Sequence, residues 1–220
     1  EAGERARALV KQILAFSRQG EIEPKPVQVK LIVKEVLKLL RASLPATIEI
    51  VQKIDSDAMV MADPTQIHQV MMNLTTNAGY AMTEKGGTLT VELTQMELDR
   101  SFADQYTDIE PGLYLKLTVS DTGTGIAPEH LNRVFDPFFT TKPKGEGTGM
   151  GLAVVHGIVS SLKGAIRVAS TPGVYTRFDL FLPVIEDLQM LEQAPAEALP
   201  VGKERILFVD DEVFQTDMLK

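Results

Sequence analysis

The sequence predicts an α/β (α+β) two-layer sandwich, a mixed sheet of about five main strands packed on three helices. Apolar residues recur at helical spacing in separate segments, each greasy on one face only. Between them lie runs of strand character, bounded by Gly, Pro and Asp. Each kind of element needs the other's apolar face. At 220 residues and 44% hydrophobic, the chain can bury a full core without staples.

Residues 1–19 carry Leu9, Val10, Ile13, Leu14 and Phe16 near helical spacing, and Gly20, Pro24 and Pro26 end that helix. From Val29 a second stripe runs through Val33, Val36, Leu37, Leu40 and Leu44 and is closed by Pro45. Two short strands are expected at Ile48–Ile54 and Ala58–Met61. Asp63-Pro64 then opens a helix, Asp as N-cap and Pro in the first helical position. Its buried stripe is Ile67, Val70, Met71, Leu74, Ala78 and Ala81, and Gly86-Gly87 stops it. Longer strands follow at Thr88–Leu98 and Leu113–Ser120. Residues 121–151 form a long Gly- and Pro-rich loop, and loops of that length in a compact domain are usually functional. A helix is expected from about Gly149 to Leu162, then a hairpin of Ala165–Ala169 and Thr176–Val184. Residues 186–203 are acidic and Ala/Pro-rich, a linker, and Glu204–Asp211 reads as a new buried strand.

Several classes are excluded by composition. Without cysteine there is no disulfide framework, Cys-ligated zinc or thiol nucleophile. Lys and Arg number 22 against 30 Asp and Glu, a net charge of −8, which argues against a nucleic-acid partner. The apolar runs are too short to span a bilayer, so no direct membrane contact is expected. The charged start from Glu1 to Gly20 is no targeting peptide, and the chain reads as a piece of something longer.

Four segments carry chemistry. Asn73 and Asn77, four apart, share a helix face, with Thr76 a third polar neighbour. A carboxamide oxygen suits Mg²⁺ shared with phosphates, and two surface Asn are the plain alternative. "DTGTGI" (121–126) follows a strand; its Asp could accept from an exocyclic amine, although by itself the segment reads as a turn. "GEGTGMGL" (145–152) runs four alternating glycines into a helix, which favours phosphate binding by backbone N–H groups. No Lys-Ser/Thr follows, so it is not a Walker loop, and no strand precedes it as in a dinucleotide fingerprint. "FDPFFTTK" (135–142) places three aromatics in the loop, as anchors of a lid, a satellite cluster, or both. The stretch from about Lys142 to Glu146 is expected to be the lid's loose part.

In this order and spacing the four segments resemble the ATP-binding catalytic domain of bacterial sensor histidine kinases, in the GHKL superfamily with its Bergerat fold. "QVMMNLTTNAGYAM" resembles the N box, "DTGTGI" and "GEGTGMGL" the two glycine boxes, and "FDPFFTTK" the F box. "GLAVVHGIV" and "TRFDLFLP" fit the following helix and last strand, so the resemblance covers roughly residues 24–184. "ARALVKQILAFSRQG" is similar to the end of a dimerisation and histidine-phosphotransfer helix, and "RILFVDDE" to the start of a receiver domain. The implied organisation is 1–20 phosphotransfer helix end, 21–185 catalytic domain, 186–203 linker and 204–220 receiver start. One departure is Tyr175, where the family often has the second Gly of Gly-x-Gly-Thr.

The resemblance implies ATP and Mg²⁺ as cofactors and transfer of the γ-phosphoryl group to a histidine. It assigns the catalytic positions to Asn73 and Asn77, with Asn77 holding the metal and Asn73 near the phosphates. Asp121 would accept from adenine N6, with Gly123, Gly125 and Ile126 beside the base. Gly147, Thr148, Gly149, Met150, Gly151 and Leu152 would wrap the triphosphate, and Lys142 would reach it from the lid. Implied partners are ATP or ADP, the phosphotransfer hairpin, a receiver domain or response regulator, and a second copy of the parent, in the cytoplasm. His68, His130 and His156 lie in no phosphoacceptor motif and are expected to be structural or exposed. Two rival readings remain. One is an ATPase of the same superfamily, which would resemble its relatives in carrying a Glu base where Asn73 stands. The other is a degenerate binding module.

Overall fold

A computed structural model describes residues 24–104, 109–143 and 147–185. The helix expected over 1–19, the linker over 186–203 and the strand over 204–211 lie outside the described residues.

In chain order the elements are β1 (Lys25–Gln28), α1 (Val29–Ser43), β2 (Ile48–Ile54), β3 (Met59–Ala62), α2 (Pro64–Ala81), β4 (Gly87–Leu98) and α3 (Arg100–Ala103). Then come β5 (Gly112–Asp121), α4 (Pro128–Leu131), α5 (Gly151–Ser161), β6 (Ala165–Thr171) and β7 (Tyr175–Pro183). Five strands form the main sheet in the order β2-β4-β5-β7-β6. β2 and β4 are parallel and the other neighbours antiparallel, so the sheet is mixed, as expected.

One face of this sheet meets the three long helices. Alternation along β4, β5 and β7 turns Leu89, Val91, Leu93, Leu115, Leu117, Val119, Phe178, Leu180 and Leu182 to that face. The apolar stripes of α1, α2 and α5 complete the same core, and α2 lies between the other two. α1 buries Val29, Ile32, Val33, Val36, Leu37 and Leu40, the stripe legible in its sequence. It ends where Leu44 is extended before Pro45, and the Arg41 guanidinium donates to the carbonyls of Pro45 (2.8 Å) and Ile48 (2.6 Å). That pair of bonds ties the helix end to the start of β2.

α2 starts as its sequence dictates. Asp63 Oδ1 accepts from the Thr65 backbone N–H at 2.7 Å and from the Thr65 hydroxyl at 2.6 Å, with Pro64 in the first turn.

Two features differ from the sequence expectations. β1 was read only as a helix terminator; Pro24 and Pro26 masked a strand that pairs antiparallel with β3, Val27 opposite Val60. β3 therefore joins this two-stranded ribbon and not the main sheet. α5 begins at Gly151, two residues later than expected, because Gly149 has φ +66° and cannot be helical. The β6–β7 hairpin closes despite Tyr175 in place of a glycine: Thr171 pairs with Tyr175, and Gly173 at φ +72° makes the turn.

A second, smaller cluster covers the far face at one end of the sheet. Tyr114, Phe181 and Ala165 meet Ala103 and Ile109 there, with Phe102 edge-on to Phe181 at 4.9 Å between centroids.

Candidate functional site

A cavity of about 360 Å³ opens where the C-terminal part of α2, the ends of β5 and β7, and the long loop meet. Its size suits a small organic ligand.

α2 contributes Asn73, Asn77, Tyr80 and Ala81 to the wall. The 3.6-residue period places Asn73, Asn77 and Tyr80 on one face, beside the buried stripe of Leu74 and Ala78. Thr76 does not join them; it is exposed, and its hydroxyl donates back to the Met72 carbonyl at 2.6 Å.

Asp121 is the last residue of β5, and its burial follows from the strand's alternation. Leu115, Leu117 and Val119 face the helices, so Asp121 continues that row and lies 5% exposed. It is flanked by Leu89 on β4 and Thr176 on β7. Burial pushes its carboxyl up to about 6, although the Gly123 N–H, donating at 2.9 Å, pulls the other way. A buried carboxylate at the end of a cavity is suited to accept from a ligand N–H.

Gly123 is set behind the cavity wall. A Cβ there would stand 2.6 Å from the Ala81 carbonyl oxygen, so glycine lets this turn close onto the end of α2. Thr124 N–H also donates to Ala81, at 3.1 Å. Gly125 and Ile126 do line the cavity, with Gly125 at φ +68°.

At the other end, Gly147, Thr148, Gly149, Gly151 and Leu152 line the wall where α5 begins. Met150, the residue before that helix, makes no side-chain cap and is not in the wall. The first-turn N–H groups of α5 therefore have no capping side chain, which suits the start of this helix to a polar ligand. Gly151 sits against α2: a Cβ there would come 3.1 Å from Asn73 Oδ1. At Gly149 a Cβ would run into the Phe138 backbone, and the Phe138 N–H donates to the Gly149 carbonyl at 3.0 Å.

Two of the three aromatics in the long loop are packed and one is not. Phe135 packs on Phe178 and His156, with ring centroids 6.4 Å and 5.3 Å away, and Phe139 packs on His130 at 5.4 Å. Phe138 anchors nothing comparable; it is 64% exposed at φ +67°. The two outer phenylalanines hold this loop. Lys142 was expected to begin a loose stretch, yet its ammonium donates to Asn77 Oδ1 at 3.1 Å and lies 4.0 Å from the Tyr80 ring centroid. Residues 144–146 lie outside the described residues.

The cavity also draws on Tyr80, Thr124, His130, Thr140 and Phe178, which the sequence reading did not assign. Only Tyr80, three residues after Asn77, had a signal in its spacing. His130 was expected to be structural or exposed; it lines the wall. His68 is half-buried on α2 and His156 is exposed on α5.

The residues present fit a magnesium-bound nucleotide. Among the described residues no group of three or more His, Cys, Asp or Glu could cage a metal alone. Asn77 Oδ1 already accepts a cationic group, so it can offer one hard oxygen to a metal that takes its other ligands from phosphates and water.

Fold and cavity together define a nucleotide-binding catalytic domain, and comparison with known proteins supplies the family. Residues 62–186, more than half of the chain, match the family of histidine kinase-, DNA gyrase B- and HSP90-like ATPases, to which the chain belongs. It is similar to the sensor kinase CckA of Brucella abortus (strain 2308), 36% identical over 94% of this chain and 23% of the relative. Among solved structures it is similar to the mycobacterial sensor histidine kinase MprB, 28% identical, with a TM-score of 0.57 over 73% of this chain and 97% of that one. It is also similar to full-length ShkA in complex with AMPPNP, 26% identical, TM-score 0.62, over 83% of this chain and 36% of that one. The chain thus carries the ATP-binding catalytic domain of the two-component sensor histidine kinases, and spans about a quarter of the curated relatives it matches.

Proposed function

We propose that this chain transfers the γ-phosphoryl group of ATP to a histidine of a phosphotransfer hairpin, within a hybrid sensor kinase. The observation that carries the reading is the convergence on one cavity of a buried carboxylate, two helix-face carboxamides and the uncapped start of α5. Asp121 accepts a hydrogen bond from the adenine amine, with Gly125 and Ile126 beside the ring. Gly123 holds the Asp121 carboxylate and closes the turn. The phosphates lie along Gly147–Leu152, and Asn73 and Asn77 face them from α2. Mg²⁺, when bound, neutralises phosphate charge and orients the γ-group. In the transfer the bond from γ-phosphorus to the bridging oxygen breaks and ADP leaves with the electron pair. The unprotonated ring nitrogen of the histidine forms the new bond with its lone pair, and the proton on the other ring nitrogen passes to solvent.

Asn73 favours transfer over hydrolysis: a neutral carboxamide cannot take a proton from water, so this position supplies no general base. We assign residues 1–20 to the end of a phosphotransfer helix, 21–185 to the catalytic domain, 186–203 to a linker and 204–220 to the start of a receiver. A response regulator or receiver is then the next acceptor, the parent works as a dimer, and the site draws on cytoplasmic ATP. Among the described residues no helix is long and apolar enough to cross a membrane.

The test is incubation of this chain with ATP and a separately made phosphotransfer hairpin. Acid-labile phosphate on the hairpin, with phosphate release near background, is the expected result. Rapid release without phosphohistidine would make it an ATPase, and failure to bind ATP would make it a degenerate module.

A further inference from the structure

We infer that Lys142, steered by Tyr80, is a built-in counter-cation that occupies the Asn77 oxygen and exchanges with the metal ion when a metal-bound nucleotide arrives. This rests on the nucleotide-binding reading and deepens it.

Asn77 Oδ1 is an oxygen of the α2 face that lines the cavity, and Lys142 Nζ stands 3.1 Å from it. The same ammonium lies over the Tyr80 ring, 4.0 Å from its centroid, well within cation–π range. Tyr80 follows Asn77 by three residues on α2, so both side chains rise from one face, and at 42% exposure it is not absorbed into the core. Lys142 itself is half-buried, in the cavity wall beside Gly147. Two independent partners, an amide oxygen and an aromatic face, thus hold one positive charge at the oxygen suited to a divalent ion.

Ammonium and metal cannot share that oxygen. A metal ion would bind it at about 2.1 Å, placing its charges against the ammonium with no anion between them. With nucleotide present, phosphate oxygens can separate the two cations, and the flexible stem of Lys142 lets its ammonium move onto them. Without metal, the lysine stays at Asn77 and supplies the positive charge that incoming phosphates need. The protein should therefore bind ADP substantially without metal, and Mg²⁺ should improve the affinity only moderately. Tyr80 is a positioning residue here, because it acts through the lysine.

The experiment is calorimetric titration of the 220-residue chain with ADP, once with excess Mg²⁺ and once with a chelator. The quantity read is the ratio of the two dissociation constants. Lys142→Met keeps the length of the stem and removes the charge. It should weaken metal-free binding more than metal-loaded binding, raising the ratio by about fivefold or more. Tyr80→Leu should raise the ratio in the same direction by a smaller factor, and Tyr80→Phe, which keeps the aromatic face, should restore the wild-type ratio. Nuclear magnetic resonance gives a second readout without nucleotide: the Asn77 side-chain amide signals should shift in Lys142→Met and hold in Tyr80→Phe. An unchanged ratio in Lys142→Met overturns the inference, even if affinity falls equally in both conditions, because the lysine would then be an ordinary phosphate contact. A wild-type chain that binds ADP in neither condition overturns the nucleotide reading itself.

Discussion

Asp121 shows how one side chain joins the fold's alternation to the chemistry of its site. Because β5 turns it toward the helices, its carboxyl loses water and holds its proton up to about pH 6. Raised above its unfolded value of 3.8, the group favours the folded state fully below about pH 4. That contribution is lost as pH rises through about 6. Adenine binding runs the other way, since an amine donor needs the ionised form. Adenosine, which has no phosphate to titrate, should bind more weakly as pH falls below about 6, approaching tenfold per unit. Calorimetry across about pH 5 to 7.5 checks this, and Asp121→Asn should flatten the profile. The same substitution should cost about 1.5–3 kcal/mol of ADP affinity near neutral pH, the loss typical of a hydrogen bond to a charged group. Unchanged affinity would remove Asp121 from the adenine site.

α2 carries the widest duties of any element. It fills the middle of the helix layer with Ile67, Val70, Met71 and Leu74, and presents Asn73, Asn77 and Tyr80 to the cavity. Its direction is fixed at the first turn by Asp63. Asp63→Ala should destabilise the domain by about 1 kcal/mol and lower Tm by roughly 2–4 °C, measured by thermal melting. Nucleotide affinity should fall little in the still-folded protein, because the carboxamides stand more than two turns away. At the start of α5 the controlling fact is backbone geometry. Gly149→Ala would force a Cβ toward the Phe138 backbone at φ +66°, costing about 1–2 kcal/mol for the left-handed conformation alone. The loss should appear in calorimetry as weaker ADP binding, since the glycine-rich segment of the cavity wall and the aromatic loop are joined at that point.

For the whole molecule the relevant unit is a catalytic domain whose proposed acceptor lies on another segment. Radiolabel from ATP is not expected on His68, His130 or His156. His130 lines the cavity, but it packs on Phe139, and none of the three lies in a phosphoacceptor motif. We also expect the 220-residue chain to be no tight dimer, because the dimerising bundle of the proposed parent needs a complete hairpin. Light scattering at micromolar concentration and phosphopeptide mapping check the two statements. A tight dimer, or label on any of these histidines, would require a different division of the chain.

Patterns of period 3.6 and 2 are local, so the sequence alone determined the three long helices, the five main strands and their sandwich. Each of the four motifs by itself left a plain alternative open, and it was their order and spacing, resembling the boxes of a known family, that pointed to nucleotide chemistry. What needed the tertiary structure is what depends on distant neighbours. β1 was hidden because prolines look like breakers until β3 is seen beside them. The correction at Phe138 came from a left-handed φ, to which residue type gives no clue. Met150 and Gly123 share their motifs with cavity residues, yet stand outside the wall, because packing and not motif membership sets which atoms are exposed. The meeting of Lys142, Asn77 and Tyr80 spans 65 residues of chain between lysine and asparagine. No local pattern encodes that contact; it exists because the long loop is laid back across the end of α2.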